Sequence, residues 1–452
     1  MIHIINKDVC IIGLGPASIG AALELSSNGL INKTIAFEIG SRLNEKDCKI
    51  LNKKICQKEN PCSIISGFGG SSVLGGSKLS YYPAGSKIAK ILESDEETIK
   101  KFQNALQIFG KYVPLKEIKF NLSTIDLYKK KFEQKGFELK YYDVYNFEKN
   151  SLLFGFNNIE SFLKERGLLI FYNTCVRAIK REGSIYKIFA ENNEGQIIIY
   201  SKYVVVGTGR LGYELLENIN TTFNLNAQEN PVDIGVRLEF PTKIFPNIDK
   251  AHGDLKLLFQ KNARTFCVCK GGKIAPYFLD DVFLTEGYLD LANPTEFTNI
   301  AILVRIGSVK YSDLMNVIKK QMILQTNGLP LRQTYEDYVH SIKTEQLDIP
   351  SSIHHYSWGE INTIFPPDIS QKIKNAVTYF VSKTIQNDNF THITLFAPEI
   401  HRNGYNFPLK KDFSVDDRIY LVGECSGAFR GILQSFTTGL ICAESILERE
   451  RA

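Results

Sequence analysis

The hydrophobic positions of the chain follow two different spacings, and each predicts a different kind of element. Short unbroken apolar runs are typical of buried parallel strands, and apolar residues three and four apart are typical of amphipathic helices. Strands are predicted at 9–12, 34–37, 203–206 and 418–422, and helices at 17–25, 95–110, 124–134 and from 430 onward. Between residues 168 and 200 four short strand-like segments follow one another, which predicts a β-meander.

A glycine turn between the first strand and the first helix is the strongest local signal. Gly13 and Gly15 permit a tight turn in which bare backbone can approach a ligand. The helix that follows presents unpaired N–H groups at its N-terminus, which suits a pyrophosphate. The second strand ends on Glu38, whose carboxylate can bind a ribose hydroxyl pair. This order predicts a dinucleotide site, although Ser18 stands at the third glycine position of the usual fingerprint.

Residues 66–79 form a second glycine-rich stretch. Five glycines and four serines in fourteen residues cannot form an ordinary helix or strand. The stretch is either a flexible linker or a loop around a flat ligand. Because a linker has no use for the apolar Phe68, Leu74 and Leu79, the ligand loop is favoured. Lys78 is then the cation placed to stabilise negative charge on a ring.

A second strand that ends on a glycine and an acid lies near the C-terminus. Gly423 and Glu424 follow the strand at 418–422, and Arg430 and Gly431 begin the last predicted helix. A second acidic strand end beside a second helix N-terminus suits the polyol and ring of FAD. Since NAD has no such need, FAD is the expected cofactor.

These elements predict an α/β protein: a Rossmann-like FAD-binding domain, made of a parallel sheet plus a β-meander, with an inserted α+β substrate domain. The FAD-binding domain is expected at 1–210, with a helical insertion at about 90–150, and again at 401–452. The substrate domain is expected at 211–400 as an antiparallel sheet with helices. Its predicted strands include 234–240, 266–269 and 300–306, and its predicted helices are 312–326 and 370–385.

Composition and charge narrow the class of function. The 452 residues are 44% apolar and 23% charged, and the formal net charge of +5 is spread along the chain. Neither nucleic acid nor an anionic membrane is therefore expected as a partner, and no apolar run approaches the length of a membrane span. Nine cysteines without framework spacing, and no signal-peptide pattern, favour a reducing cytoplasm. The cysteine spacings match no zinc pattern, so no metal is expected.

Several separated segments match the motifs of one group of flavoproteins. They are residues 67–70 through 78–79, 231–237, 264–267 with 271–272, and 423–427 with 430–431. With the N-terminal turn they resemble the FAD-binding fold of glutathione-reductase-like flavoproteins, and more narrowly a bacterial family of uncharacterised FAD-dependent dehydrogenases. Two positions depart from that family. Residues 75–78 are Gly-Gly-Ser-Lys where the family usually has Ser-Asp-Gly-Lys, and Glu424 replaces an aspartate.

The resemblance implies which residues would hold each part of the FAD. Those for the pyrophosphate and adenosine are Gly13, Gly15, Pro16 and Ala17, with Glu38 on the ribose, the backbone of Val176 at the adenine, and Thr208 and Gly209 over the nucleotide. Those for the ribityl chain and ring are Gly69, Gly70 and Lys78, with Gly423 and Glu424 on ribityl and phosphate oxygens. Backbone amides at the pyrimidine edge would come from Gly431, Ile432, Leu433 and Gln434.

The expected function is that of an FAD-dependent oxidoreductase, in which hydride passes between a small-molecule substrate and the flavin where the two domains meet. No second glycine fingerprint provides a nicotinamide domain, so NAD(P)H would act as a diffusing electron donor. Lys78, Arg237 and Arg264 are the candidate catalytic residues, and the two arginines would contact a substrate carboxylate unless they pair with acids structurally.

Two other classes of function stay open. One is a non-catalytic binding protein on the same fold, which would be expected to lose residues that face the flavin. The other is a flavoprotein that modifies tRNA, which would need a clustered basic patch, whereas the lysines here are dispersed. The substrate and the oligomeric state are not predicted by the sequence.

Overall fold

The structure is a computed structural model that describes residues 2–50, 55–73, 75–245, 247–250, 252–307 and 309–452. The strands in chain order are β1 (Ile2–Asn6), β2 (Val9–Ile12), β3 (Thr34–Phe37), β4 (Lys78–Ser80), β5 (Lys116–Ile118), β6 (Glu138–Lys140), β7 (Val144–Asn146), β8 (Leu169–Phe171), β9 (Cys175–Glu182), β10 (Ile185–Asn192), β11 (Gly195–Ser201), β12 (Tyr203–Val206), β13 (Gln228–Glu229), β14 (Val232–Pro241), β15 (Lys256–Phe259), β16 (Ala263–Lys270), β17 (Lys273–Leu279), β18 (Val282–Tyr288), β19 (Phe297–Ile306), β20 (Leu331–Thr334), β21 (Ser357–Trp358), β22 (Thr394–His401), β23 (Tyr405–Asn406) and β24 (Ile419–Leu421). The helices are α1 (Pro16–Ser27), α2 (Lys87–Leu92), α3 (Asp95–Gly110), α4 (Leu122–Glu133), α5 (Lys149–Glu165), α6 (Tyr213–Thr222), α7 (Tyr311–Thr326), α8 (Tyr335–His340), α9 (Pro367–Thr384) and α10 (Ile432–Arg451).

A five-stranded parallel sheet in the order β24-β12-β2-β3-β8 forms the centre of the nucleotide-type layer. Every residue of β2, β3 and β12 is buried, because both faces of the sheet are covered. Ile11 and Val205 pack among the residues of α1 and α10, whereas Cys10 and Val204 pack against the meander. The Rossmann-like sheet predicted from the apolar runs is confirmed.

Three of the four strand segments predicted for the β-meander form it, but the first, at 168–172, does not: β8 pairs in parallel with β3 at the edge of the parallel sheet. Strands β9, β10 and β11 pair antiparallel, and β1 adds to β11 in parallel register. Strand β1 is largely exposed, so it lacks the unbroken buried run by which the other strands were recognised.

The segment between the glycine-rich loop and residue 150 is divided between two sheets. Helix α3 begins after the N-cap Ser94, whose Oγ accepts a hydrogen bond from the amide of Glu97 at 3.1 Å. Strands β4, β7 and β5 form a small sheet of their own. Strand β6, however, pairs with β15 at the edge of the large sheet of the insertion. The two parts of the chain are therefore joined by strand pairing as well as by the main connections.

The insertion is built on a large sheet in the order β21-β20-β22-β14-β19-β16-β15-β6, in which all pairs except β20 with β21 are antiparallel. Helix α9 packs on β19, and the β17–β18 hairpin packs against β22. Strands β14 and β19 contain the predicted segments 234–240 and 300–306, and α7 and α9 correspond to the two predicted helices. The expected α+β architecture of this region is confirmed.

Among the described residues, no helix combines the length and the apolar character that crossing a bilayer requires.

Candidate functional site

One cavity of about 1290 Å³ extends from the carboxyl ends of the parallel strands to the face of the large sheet. This volume exceeds the roughly 300–1,000 Å³ that suits an ordinary small ligand. Most of the residues predicted to hold a cofactor lie on its wall: Gly13, Gly15, Pro16, Ala17, Glu38, Gly70, Lys78, Val176, Thr208, Gly209, Gly423, Glu424, Gly431 and Ile432. Gly69, Leu433 and Gln434 lie behind that wall. No set of three or more His, Cys, Asp or Glu side chains in the described parts of the chain is arranged to hold a metal ion.

The first glycine turn is as tight as the sequence predicts. Gly13 has a φ of +85°, and its amide donates to the carbonyl of Phe37 at 2.7 Å. A Cβ atom at Gly13 would lie 2.6 Å from the carbonyl oxygen of Gly207, a separation that real Cβ atoms do not show. The position therefore requires glycine both for its backbone conformation and for its close neighbour.

The serine at the third fingerprint position is accommodated by a glycine on the opposing strand end. A Cβ atom at Gly207 would lie 2.3 Å from the Oγ of Ser18. Helix α1 can therefore still lie close to the end of β12, because the glycine is at 207 on the strand side and the larger residue is on the helix. Gly20 serves a different contact, since a Cβ atom there would lie 2.5 Å from the carbonyl oxygen of Phe436 on α10. On α10 itself, a Cβ atom at Gly439 would lie 1.8 Å from the carbonyl oxygen of Ala17.

Glu38 is buried, and its carboxylate joins three segments of the chain. One oxygen accepts from the amide of Leu14 at 2.7 Å, and the other accepts from the amides of Gly40 and Gly67 at 2.9 and 2.8 Å. The carboxylate therefore holds the glycine turn and the start of the glycine-rich loop together. A carboxylate has about four acceptor positions, so one remains for a ribose hydroxyl.

The glycine-rich loop approaches the first turn closely, as a ligand loop should. The amide of Gly69 donates to the carbonyl of Leu14 at 2.8 Å, and a Cβ atom at Gly70 would lie 3.3 Å from the Cα of Gly15. Gly69 and Gly70 have φ values of +80° and +56°. Leu74, one of the apolar residues that favoured a ligand loop, lies outside the described residues.

Lys78 lies where the loop meets the insertion. Its ammonium group donates to Asp254 Oδ1 at 2.6 Å and to the carbonyl of Val268 at 2.7 Å, while its side chain still lines the cavity. Burial alone would lower the pKa of Lys78, but the carboxylate of Asp254 holds it above its usual value. Lys78 is thus a permanent cation beside the cavity.

At the opposite side of the cavity, Glu424 lies between two arginines. Its carboxylate is 3.0 Å from Arg430 Nε and 3.9 Å from the guanidinium of Arg210, which also pairs with Glu286 at 2.9 Å. Burial, together with repulsion by Arg210, lowers the pKa of Arg430 to about 10. A lowered arginine pKa marks a cation with too little compensating negative charge. Neither arginine is a predicted site residue, although Arg210 directly follows Gly209 and Arg430 directly precedes Gly431.

The N-terminus of α10 opens onto the cavity through Gly431 and Ile432. The first amides of a helix have no acceptor within the helix, so this end can stabilise negative charge. The side chain of Gln434 instead donates to the carbonyls of Ser80 and Ala84 at 2.8 and 3.1 Å, and thereby fastens α10 to the end of β4.

The structure does not bring Arg237 or Arg264 to the cavity wall. Arg237 is fully buried and makes a bidentate pair with Glu399, with further hydrogen bonds to Asn299 and the carbonyl of Cys267. Arg264 pairs with Asp233 at 2.8 Å. Both arginines pair with acids, which is the structural alternative to the substrate contact expected from the sequence.

The acid that pairs with Arg237 also touches a histidine on the cavity wall. Glu399 and His401 occupy alternate positions of β22, and Glu399 Oε1 lies 3.2 Å from His401 Nε2. The other ring nitrogen of His401, Nδ1, has no hydrogen-bond partner among the described residues. Burial raises the pKa of Glu399 to about 6 against the opposing effect of Arg237. His401 is not among the predicted site residues, although the sequence places an acid and a histidine two residues apart at 399 and 401.

Behind Lys78, His252 is a buried histidine that stays neutral in the folded protein. Its Nδ1 accepts a hydrogen bond from the amide of Asp254 at 2.8 Å, which an imidazolium could not do. Burial lowers the pKa of His252 from 6.5 to about 4. The carboxylate of Asp254 opposes this lowering, and the positive charges of Lys78 and Lys256 add to it.

We expect His252 to make the folded protein sensitive to acid. Between pH 6.5 and 4 the unfolded chain binds a proton that the folded chain cannot, so the free energy of unfolding should fall by roughly 3 kcal/mol over this window. Urea denaturation at a series of pH values measures this change in the free energy of unfolding. The variant His252→Asn should lose this part of the pH dependence, and His3→Asn, at an exposed position, should keep it. An unchanged slope in His252→Asn would contradict the assignment.

Comparison with known proteins gives only distant similarities. No protein-family model and no curated protein matches the chain. Among solved structures, the chain is similar to a flavoprotein/dehydrogenase from Cytophaga hutchinsonii, with 13% identity, 98% of this chain and 79% of that chain covered, and a TM-score of 0.42. It is also similar to a geranylgeranyl bacteriochlorophyll reductase-like protein from Thermoplasma acidophilum (12% identity, 99% and 81% covered, TM-score 0.41) and to the flavin-dependent brominase Bmp2 (10%, 99% and 80%, TM-score 0.43). Similarity at this level assigns neither a family nor a function to the chain.

Proposed function

We propose that the protein is an FAD-dependent oxidoreductase that exchanges hydride with an anionic small molecule. The observation that carries the proposal is the continuity of the cavity: one space joins the glycine turn before α1, the N-terminus of α10, Lys78 and the large sheet. A dinucleotide flavin needs this sequence of surroundings, because its pyrophosphate suits a helix N-terminus and its reduced ring suits a nearby positive charge. When bound, the flavin would supply a two-electron acceptor beside the large sheet.

The polar groups of the wall fit such a ligand. Arg210 Nε, Arg402 Nε and Arg430 Nη1 are buried without a hydrogen-bond partner among the described residues. Each of these guanidinium groups already faces an acid, namely Glu286, Glu229 or Glu424. Leaving their remaining N–H donors buried without an acceptor is still costly, so these donors favour an anion in the cavity. Candidate anions are the pyrophosphate of the cofactor and a carboxylate or phosphate of the substrate.

The substrate would lie against the large sheet, where aromatic and titratable side chains share the wall. Arg402 lies between the rings of Tyr213 and Tyr311, 4.3 Å from the centroid of the latter. His401, oriented by Glu399, would take or give the proton that accompanies hydride transfer. Arg237 would act through Glu399 as a positioning residue, and NAD(P)H would be a diffusing donor.

Eight cysteines of the described chain, at positions 10, 56, 62, 175, 267, 269, 425 and 442, carry free thiols, which supports the proposal that the protein works in a reducing cytoplasm. The fit of the cavity to FAD supports catalysis over a non-catalytic binding protein.

The first test is the cofactor itself. Purified protein should be yellow, or should acquire the visible absorption band of bound flavin when FAD is added, and it should quench the fluorescence of FAD. FMN, which lacks the adenosine that we propose Glu38 and Val176 contact, should bind far more weakly. Protein that neither retains nor takes up FAD would overturn the proposal.

We expect His401→Asn to keep bound flavin and to slow reduction of that flavin by its substrate about 100-fold, since general acid–base catalysis typically contributes factors of this size. Stopped-flow absorbance during a screen of carboxylate and phosphate metabolites measures it. The matched variant His340→Asn changes a histidine on α8, outside the cavity wall, and should leave the rate unchanged. Equal rates in both variants would remove His401 from the mechanism.

A further inference from the structure

Two cysteines of β16 lie next to each other at the cavity, Cys267 on its wall and Cys269 behind Cys267. We propose that Cys267 and Cys269 form a redox-active thiol pair that reduces a small disulfide-containing molecule and closes to a disulfide bond in doing so. This activity is distinct from the proposed flavin chemistry and does not depend on it.

The geometry of the strand is altered at this point so that the two sulfur atoms approach each other. In a regular strand, residues two apart are separated by roughly 6.6 Å along the strand. Here β16 contains a bulge, because Phe266 pairs with Ala301 and Cys269 pairs with Asn299, which leaves one extra residue on β16. Cys267 has a φ of +45°, an uncommon conformation for a residue other than glycine. The two Sγ atoms lie 3.8 Å apart.

One buried ion pair holds the residue between the two cysteines. The amide of Val268 donates to Asp254 Oδ1 at 3.1 Å, and its carbonyl accepts from Lys78 Nζ at 2.7 Å. Lys78 and Asp254 also pair with each other at 2.6 Å. Both backbone polar groups of the linking residue are thus fixed, so the bulge is a supported feature of the fold.

The two thiols differ in access. Cys267 is half-buried and lines the cavity, whereas Cys269 is fully buried. A Cβ atom at Gly287 would lie 2.8 Å from Cys269 Sγ, which shows how closely the inner sulfur is enclosed. Cys267 is therefore the thiol that meets a molecule in the cavity, and Cys269 is the thiol placed to attack Cys267 afterwards.

The groups around Cys267 and Cys269 favour one negative charge shared by the two sulfur atoms. The hydrogen bond from Cys267 lowers the pKa of Cys269 in spite of its burial, and Lys78 and Arg237 add to the effect. Thiolates are the nucleophiles in thiol–disulfide exchange. A proton shared between two sulfur atoms beside two cations gives the pair the reactivity that an isolated buried thiol lacks.

The reaction is an exchange in two steps. Cys267 passes its proton to the Cys269 thiolate and attacks one sulfur of R–S–S–R, so the disulfide of the substrate breaks, Cys267–S–S–R forms and RS⁻ leaves. RS⁻ takes the proton from Cys269, which attacks Cys267. The bond to the second RS group breaks, the Cys267–Cys269 disulfide forms, and that second thiolate leaves and takes a proton from water. The substrate disulfide gains two electrons, and the two cysteines lose them.

The experiment uses the reduced full-length chain and 2-hydroxyethyl disulfide as the probe. Trypsin releases residues 265–270, between Arg264 and Lys270, as a peptide that contains both cysteines and no other. After treatment and alkylation, mass spectrometry should find this peptide unalkylated and two hydrogens lighter than the dithiol. Its oxidation should be roughly tenfold or more faster than modification of Cys175, which lines the same cavity and whose pKa burial raises.

Two variants separate the roles of the sulfur atoms. In Cys269→Ser, Cys267 should carry a trapped mixed disulfide with half of the probe, a species that is transient in the unaltered protein. In Cys267→Ser, the peptide should remain unmodified. The proposal would be overturned if the peptide stayed a dithiol while Cys56, which is also half-buried, reacted. It would also be overturned if a mixed disulfide at Cys267 persisted equally long with and without Cys269. The unaltered chain alone decides the first of these outcomes, so it does not depend on whether a variant folds.

Discussion

Gly13→Ala is expected to weaken FAD binding by roughly 100-fold or more, the equivalent of about 3 kcal/mol. The added methyl group would lie 2.6 Å from the carbonyl oxygen of Gly207, and neither backbone can move without opening the junction of β2 and β12. The turn would shift away from the N-terminus of α1, where the pyrophosphate is expected. Fluorescence titration with FAD measures the change.

Gly29→Ala is the matched control for this substitution. Gly29 also has a positive φ, +74°, but a Cβ atom there would have no neighbour within 4 Å. It should therefore cost about 1 kcal/mol of folding stability for the backbone strain and leave FAD binding unchanged. If both variants bind FAD equally well, the close contact at Gly13 does not shape the cofactor site.

Arg237→Met is expected to lower the free energy of unfolding by about 3–5 kcal/mol, because it leaves Glu399 buried without its cation. The penalty should grow as the pH rises. Without Arg237 the pKa of Glu399 moves further above its unfolded value of 4.5, so the folded variant holds a proton that the unfolded chain releases. Urea denaturation at pH 5 and pH 8 measures both effects.

The double variant Arg237→Met with Glu399→Leu should recover most of that stability, since it removes both charges. Arg305→Gln is the exposed comparison: it removes one of the two arginines that pair with Asp233, from a half-exposed position, and should cost less than about 1 kcal/mol. A single variant Arg237→Met as stable as Arg305→Gln would show that the buried pair contributes little.

The nucleotide half of the molecule could be predicted closely because its signals are local. Strand, glycine turn, helix and acid follow one another within residues 9–38, and each carries its own pattern. Even the departure at Ser18 was visible, but its compensation was not, because Gly207 lies far along the chain. Local patterns show which residue is unusual, and only the fold shows which residue compensates for it.

For the insertion, the sequence predicted the α+β architecture but not which side chains lie together at the cavity. Arg237 and Glu399 are separated by 162 residues in the sequence, so nothing near Arg237 indicated its partner. His401 reached the cavity wall because β22 pairs with β14, a contact between distant parts of the chain. The bulge that joins Cys267 and Cys269 depends on the register of β16 against β19 in the same way.

The crossing of α1 and α10 at Gly20 and Gly439 has a consequence for how the protein is made. The nucleotide layer takes its first helix from residues 16–27 and its last from residues 432–451, and its edge strand β24 comes from residues 419–421. On a ribosome, the first turn is synthesised long before the helix against which it packs. We therefore expect FAD to bind only after β24 and α10 have been synthesised. Until then, the earlier strands would form an incomplete sheet in which the edge of β12 that pairs with β24 is unpaired.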